Sequence, residues 1–249
     1  MHLAVIIPMF NEEAGARRCL DRVLGALAVE RQDTGVIVVN DGSSDGTLLT
    51  LQAALDSGLD FELVDSSVNR GYGGALRLGA ERASALGADW VVFMDSDLTN
   101  PPEQIADFRR SIEAEAVDFV KACRYCATGS TGDVPFRRMI VSRVGNLVAR
   151  ALAGVDHRDL TNGFRAFRTR TYLEMPLTEL RFAVILEEMY WARRLELVGI
   201  ELPSTLSKRA AELRPTSFAY TPSTLWSYLR WPTRAARERI MALICSRRR

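Results

Sequence analysis

Residues 90–103 read WVVFMDSDLTNPPE. An apolar run stops abruptly at two carboxylates one residue apart, Asp95 and Asp97. Residues 90–94 have the length and continuous apolarity of a strand buried on both faces. Two ionised acids at the end of such a strand are costly unless a positive group shares them. A divalent cation bridging a diphosphate is one such group, because Mg2+ and Mn2+ take oxygen ligands and share them with substrate phosphates. A plainer reading has Asp97 capping a helix that begins near Pro101.

Upstream, short apolar runs alternate with helical spacing. Residues 3–8, 36–40 and 61–64 read as strands, and 11–28 and 71–86 as helices. A further helix, capped by Ser44 or Asp45, runs to Leu55. The order β-α-β-α-β-α-β predicts an α/β protein with a mostly parallel central sheet flanked by helices. Ligands of such sheets bind beyond the carboxyl ends of the strands. Glu12, Asp41, Asp95 and Asp97 all fall at those ends. Downstream, 117–122 reads as a strand, 125–134 as a loop and 136–153 as a helix carrying four arginines. Residues 159–167 form a polar turn leading into an extended piece, 185–198 a helix and 199–203 another extended piece. Two short helices, 223–230 and 233–245, are expected on either side of Pro232.

The chain has 249 residues, 47% hydrophobic and 25% charged. That balance fits a globular protein and excludes disordered, collagen-like and disulfide-scaffold classes. No apolar stretch approaches the ~18 residues of a membrane span. MHLAVIIPMF lacks the basic start of a signal peptide. Four scattered cysteines, Cys19, Cys123, Cys126 and Cys245, suggest a reducing, cytoplasmic setting rather than a disulfide framework. The net charge of +1 hides a basic tail, since residues 207–249 hold ten Lys/Arg against two acids. Trp226, Tyr228 and Trp231 precede its basic end. Ala236, Ile240, Leu243 and Ile244 recur at helical spacing, as in an amphipathic helix. The tail either docks on an anionic lipid surface or packs on the body or on a second subunit. The expected organisation is therefore a catalytic domain at 1–206 and a lid with a helical tail at 207–249. Nucleic acid is not an expected partner; a homo-oligomer is possible on this pattern.

Five stretches occur in order: VIIPMFNEE (5–13), VVNDGSSDGT (38–47), NRGYGGALRLGA (69–80), FMDSDLTNPPE (93–103) and DLTNGFRAF (159–167). Together they resemble family 2 glycosyltransferases of the GT-A fold. Within that family the chain is most similar to dolichyl-phosphate mannose synthases and bacterial polyprenyl-phosphate glycosyltransferases. The resemblance implies that Pro8, Phe10 and Glu12 line a nucleotide pocket and that Val39 and Asp41 hold base and ribose. It implies that Asp95, Ser96 and Asp97 hold the sugar nucleotide, with Mg2+ or Mn2+ at Asp97 and Thr99. The family commonly has Tyr at Phe10, Ala at Ser96 and Gln at Thr99, so this chain departs at three positions. Arg124, Arg138 and Ser142 match the acceptor-phosphate positions, and Arg209 and Arg214 are candidates for a basic lid over the diphosphate.

Asp159 is implied near the reaction centre, as a catalytic acid that orients acceptor or sugar. Its alternative is a carboxylate that stabilises the turn at 162–163. Glu187 and Glu188 lie where hydroxyl-transferring relatives place a base, or else mark a helix start. Gly71, Gly73 and Gly74 resemble part of a dinucleotide fingerprint, but Leu76 replaces its last glycine. They read better as a helix start close to the nucleotide. The implied activity is inverting, metal-dependent transfer from a UDP- or GDP-sugar to a polyprenyl phosphate, peripherally on the inner face of a membrane. The alternatives are transfer to a hydroxyl of a glycan or small molecule, and a non-catalytic nucleotide-sugar-binding or scaffold protein.

Overall fold

The computed structural model describes residues 2–28, 33–132, 136–207 and 221–246. Its first half alternates strand and helix as expected: β1 (Leu3–Met9), α1 (Glu13–Ala26), β2 (Thr34–Asp41), α2 (Thr47–Asp56), β3 (Glu62–Ser66), α3 (Gly71–Ala85) and β4 (Trp90–Phe93). A 3-10 turn (Pro102–Gln104) leads to α4 (Ile105–Ala114) and β5 (Phe119–Cys123). Then follow α5 (Phe136–Ala153), β6 (Arg165–Arg168), α6 (Thr169–Glu174), α7 (Val184–Arg194), β7 (Gly199–Pro203) and α8 (Pro222–Ser246).

The seven strands form one sheet in the order β3-β2-β1-β4-β6-β5-β7. Every pairing is parallel except those of β6, which runs against both β4 and β5. This reversal positions the site. Arg165, the first residue of β6, pairs with Phe93 near the end of β4 and with Lys121 in β5. The turn before β6 therefore lies at the same edge as the carboxyl ends of the parallel strands.

Successive residues of β1 feed opposite faces, as strand geometry requires. Leu3, Val5 and Ile7 join Leu20, Val23 and Phe108 under α1 and α4. Ala4 and Ile6 join Leu76, Phe167 and Tyr172 on the other face. There α3 lies close to the sheet because Gly79 has no side chain: a Cβ would sit 2.4 Å from Ile6 Cγ2. Gly71 (φ +76°) and Gly73 answer a different approach, since Cβ atoms there would lie 2.3 and 2.1 Å from the carbonyl oxygens of Leu180 and Glu179. The Gly73 N–H donates to Leu180 O at 2.9 Å.

Two expectations are corrected. The tail is one helix, with Pro232 inside it. Proline withholds an N–H from Tyr228 O, four residues back; one residue on, the Thr233 hydroxyl shares its proton between Leu229 O (2.7 Å) and Arg230 O (2.9 Å). Trp231 and Ala235 are buried against the body, and Trp231 Nε1 donates to Glu179 at 3.0 Å. Packing thus overrides the local break. The cysteines are not all reduced either. Cys123 and Cys126 form a disulfide across Cα atoms 5.6 Å apart, a spacing that suits the bond.

Charges are buried beside β6. Arg165 and Glu188 are both fully buried and pair through both guanidinium nitrogens that face the carboxylate, Nη2 to Oε1 at 2.5 Å. Arg165 Nη1 also donates to Gly163 O (2.5 Å), and the guanidinium stacks over Phe93. Lys121, equally buried, donates to Asn162 O at 2.6 Å. Burial first, then the neighbouring Arg165 charge, pushes the Lys121 pKa down to about 7.

Two outcomes follow from this packing. Gly79→Ala gains ~1 kcal/mol of helix propensity but overpacks the core beside Ile6, at about 1–3 kcal/mol. A net loss, read as a lower urea midpoint, is expected. Lys121 titrates near 7 when folded and near ~10.4 when unfolded. Between those values the unfolded chain binds more protons, so stability rises with pH. Urea midpoints of the wild type should therefore rise relative to Lys121→Met across that window; parallel pH profiles would contradict it.

Candidate active site

The loops after β1 and β2 are laced together by the motif residues themselves. Asn11, at φ 54°, accepts the Ser44 N–H (2.8 Å) on its side chain and gives its own N–H to Ser43 Oγ (2.9 Å). Glu12 N–H donates to Thr47 Oγ1 (2.8 Å), Glu13 N–H to Asp45 (3.2 Å), and Gly46 N–H to Glu13 (3.1 Å). Asp45 also accepts the N–H of Thr47, the first residue of α2. The helix starts one step later than expected, after Gly46. Much of these two motifs is therefore scaffold.

The scaffold opens one side of a cavity of about 1320 Å3. Pro8, Phe10, Glu12 and Asp41 line that side with Gly71. Asp41 is nearly buried; desolvation raises its pKa, partly opposed by the Arg70 N–H that it accepts at 2.7 Å. Val39 does not belong with them. Its side chain is fully buried under α3 among core residues, away from the cavity lining.

Asp95, Ser96, Asp97 and Thr99 form the floor. Asp95 accepts the Tyr72 hydroxyl at 3.0 Å. Burial, followed by the Asp95 charge, pushes the Tyr72 pKa well up, so the phenol stays a donor. Gly163 lets the two side chains come close to the backbone here: a Cβ would lie 2.9 Å from Asp95 Oδ2 and 3.1 Å from the Tyr72 hydroxyl, and both would have to shift. Tyr72 was not among the expected site residues. Its signal was its place inside a quoted motif, as a lone aromatic in a glycine-rich helix start.

Asp97 Oδ1 accepts the Thr99 N–H (3.0 Å) and the Thr99 hydroxyl (2.8 Å). It does not cap the 3-10 turn, whose N-cap is Pro101 with no side-chain bond. Thr99 thus meets Asp97 as a donor and orients it, with its hydroxyl oxygen still able to accept. The donors gathered here are all oxygen: two carboxylates and a hydroxyl. Such a set suits Mg2+ or Mn2+ rather than a soft metal.

Arg124 stands farther along the wall. Its Nε and Nη2 meet Asp159 at 2.6 and 2.8 Å, its backbone N–H meets Asp159 at 3.0 Å, and Nη2 also reaches Thr161 Oγ1 at 2.8 Å. Asp159 is fully buried, does not line the cavity, and also accepts the N–H groups of Thr161 and Asn162. Burial works against its charge, but Arg124, and after it the Lys121 charge, hold its pKa below the ordinary range. The turn-stabilising alternative for Asp159 matches these contacts.

Ser142 lines the cavity and accepts the Tyr125 hydroxyl at 2.8 Å. Arg138 lies in α5, but its side chain is outside the described residues, as are Arg209 and Arg214 altogether. Neither Glu187 nor Glu188 reaches the cavity. Glu187 accepts the N–H groups of Thr178 and Glu179, and Glu188 is held by Arg165. Beyond Arg124 the lining turns apolar, with Met139, Ile140, Val144 and Val148 of α5 opposite Leu225, Tyr228 and Leu229 of α8.

Comparison with known proteins agrees with this geometry. A family model described as glycosyl transferase family 2 matches residues 4–174. The polyprenol monophosphomannose synthase of Mycolicibacterium smegmatis is 25% identical over 244 residues, 96% of this chain and 90% of that protein. The undecaprenyl-phosphate mannosyltransferase of Micrococcus luteus is 28% identical over 248 residues, 97% and 98% of the two chains. Among solved structures, glucosyl-3-phosphoglycerate synthase from Mycobacterium tuberculosis, in complex with Mn2+, uridine diphosphate and glucosyl-3-phosphoglycerate, superposes with a TM-score of 0.60. That match has 22% identity and covers 84% of this chain and 73% of the other, a likeness of fold. The family match runs from β1 to the end of α6 and takes in every loop of the polar floor, so the chain belongs to glycosyl transferase family 2 and is a glycosyltransferase with the GT-A fold.

Proposed function

We propose that this enzyme transfers a sugar from a nucleoside diphosphate sugar to a polyprenyl phosphate. The observation that carries this reading is the continuity of one cavity. It runs from the acids at Asp41, Asp95 and Asp97, past Arg124 and Ser142, into an apolar trough between α5 and α8. A nucleotide sugar suits the first part, a phosphate the junction and a prenyl chain the trough. The two relatives named above act, by their names, on lipid phosphates.

In this reading Pro8, Phe10, Glu12 and Asp41 bind the nucleoside, and Asp95, oriented by Tyr72, positions the sugar. Asp97 and Asp95 would hold a divalent cation, which when bound supplies positive charge to the diphosphate. Arg124 and Arg138 bind the acceptor phosphate, since a guanidinium fork grips phosphate oxygens in pairs. Asp159 is a positioning residue that aims Arg124. Arg209 and Arg214 remain lid candidates on the sequence resemblance alone.

A phosphate acceptor is already largely dianionic, its second pKa lying near ~6. Its oxygen attacks the anomeric carbon in line as the bond to the nucleoside diphosphate breaks, which inverts the configuration. No proton must leave the nucleophile, so no general base is needed. The engagement of Glu187 and Glu188 elsewhere agrees with that chemistry.

Lipid access in this reading comes from apolar surface rather than from a span. No described helix is long and apolar enough to cross a membrane. However, Val144 and Leu147 of α5 and Trp226, Ile240 and Leu243 of α8 are exposed, Leu147 and Leu243 by 63% each. Arg237 and Arg239 accompany the α8 residues at the surface. An in-plane helix with this composition binds anionic lipid.

Purified protein with Mg2+ or Mn2+, labelled UDP- and GDP-sugars and a short polyprenyl phosphate should yield label extractable into organic solvent. Asp97→Ala and Arg138→Ala should each abolish it. Metal-dependent donor hydrolysis with no lipid label would retain the transferase and reject the lipid acceptor. Tyr72→Phe removes a hydrogen bond to a charged group, worth about 1.5–3 kcal/mol. We expect kcat/KM to fall by about tenfold to a hundredfold with the fold intact by circular dichroism. Unchanged kcat/KM would show that Asp95 needs no phenol.

A further inference from the structure

β5 ends at Cys123, and the Cys123–Cys126 bond closes a ring around Arg124 and Tyr125. Both bracketed residues line the junction of the cavity. Arg124 grips Asp159, and Tyr125 donates to Ser142. A second connection runs through Glu201 on the neighbouring strand β7. Its Oε2 lies 3.7 Å from Cys126 Sγ, while Oε1 accepts the N–H groups of Arg158 (2.6 Å) and Asp159 (2.8 Å). The sulfur pair thus touches both halves of the Arg124–Asp159 clamp, one through the chain and the other through Glu201. Cys123 is fully buried, whereas Cys126 is partly open to solvent.

We propose that Cys123 and Cys126 are a thiol–disulfide switch that sets acceptor affinity through the Arg124–Asp159 clamp. The affinity part of this proposal rests on the reading of Arg124 as an acceptor-phosphate residue. The chemistry needs an external dithiol, either a small molecule or a dithiol protein. Its thiolate attacks Cys126 Sγ, the accessible sulfur. The S–S bond breaks, Cys123 leaves as a thiolate and takes up a proton, and a mixed disulfide forms on Cys126. The second sulfur of the dithiol then displaces Cys126, which is protonated in turn. Two electrons and two protons pass to the protein, and the dithiol becomes a disulfide. Oxidation by a disulfide reagent runs the same steps in reverse.

Reduction opens the ring, and Arg124 and Tyr125 regain backbone freedom. The new Cys126 S–H also faces the Glu201 carboxylate that otherwise steadies the 158–159 backbone. Groups fixed beforehand cost less to order on binding. The disulfide form is therefore the tighter binder of acceptor, and the donor end, held by the β1 and β2 loops, is indifferent.

The test uses the full chain carrying Cys245→Ser, which removes the exposed free thiol. One sample is treated with oxidised glutathione and one with dithiothreitol. Thiols are counted by maleimide mass shift after denaturation, and amide exchange is followed at Arg124 and Asp159. Reduction should release two further thiols, speed exchange at both amides and raise the KM for a short polyprenyl phosphate about threefold to tenfold. The donor KM should not move. Cys126→Ser should show the raised KM under both conditions. Failure to form the disulfide with oxidised glutathione would overturn the proposal, as would a formed disulfide with identical exchange at 124 and 159. Exchange that responds while no lipid phosphate is glycosylated would reject the acceptor reading and leave the switch on the clamp intact.

Discussion

The buried pair of Arg165 and Glu188 is the interaction on which the site depends. It fixes the first residue of β6, the strand that runs against its neighbours. Arg165 also holds Gly163 by its carbonyl, and Gly163 lies against Asp95 and Tyr72. Such a pair is poor evidence for stability in itself, because two desolvated charges offset much of their attraction. Removing one partner is another matter and costs about 3–5 kcal/mol. The pair therefore acts less as a source of stability than as a constraint. In the observed placement of the turn at 159–164 both charges, and Lys121 beside them, are satisfied. That placement sets the distance between the Asp95 end and the Arg124 end of the cavity.

Sequence periodicity made the first half of the fold legible because β1, β2 and β4 are each built on an apolar run ending in a turn. β1, β2, α3 and β4 lie close to where their patterns put them. The acids at strand ends were legible for a related reason, since only a ligand or a hidden partner makes them tolerable there. The direction of β6 was not legible: four residues, Arg165–Arg168, carry no mark of which way they enter a sheet. Pro232 misled because its local effect is real, yet Trp231 and Ala235 anchor the helix on both sides of it. The role of Asp159 divided between two readings until Arg124 was seen to occupy both of its oxygens.

Residues that look chemical in a motif need not meet the ligand. Asn11, Glu13, Ser43, Asp45 and Thr47 spend their polar atoms on each other across two loops. Glu12 and Asp41 are thereby presented to the cavity from a rigid base. The same division recurs at the other end, where Asp159 and Thr161 support Arg124. A site built this way has few contact residues and many that aim them.

Glu179 joins two regions that are far apart in the chain. Its carbonyl oxygen sits over Gly73 at the start of α3. Its carboxylate receives Trp231 Nε1 (3.0 Å) and Arg230 (3.1 Å) from α8, which walls the apolar trough. One residue thus connects the start of α3 with α8. If occupancy of the trough displaces α8, part of the strain reaches α3 through this side chain and its backbone. Thermodynamic reciprocity then requires that each substrate alter the affinity of the other by the same factor. The two halves of the cavity would then behave as a cooperative pair, coupled through one glutamate.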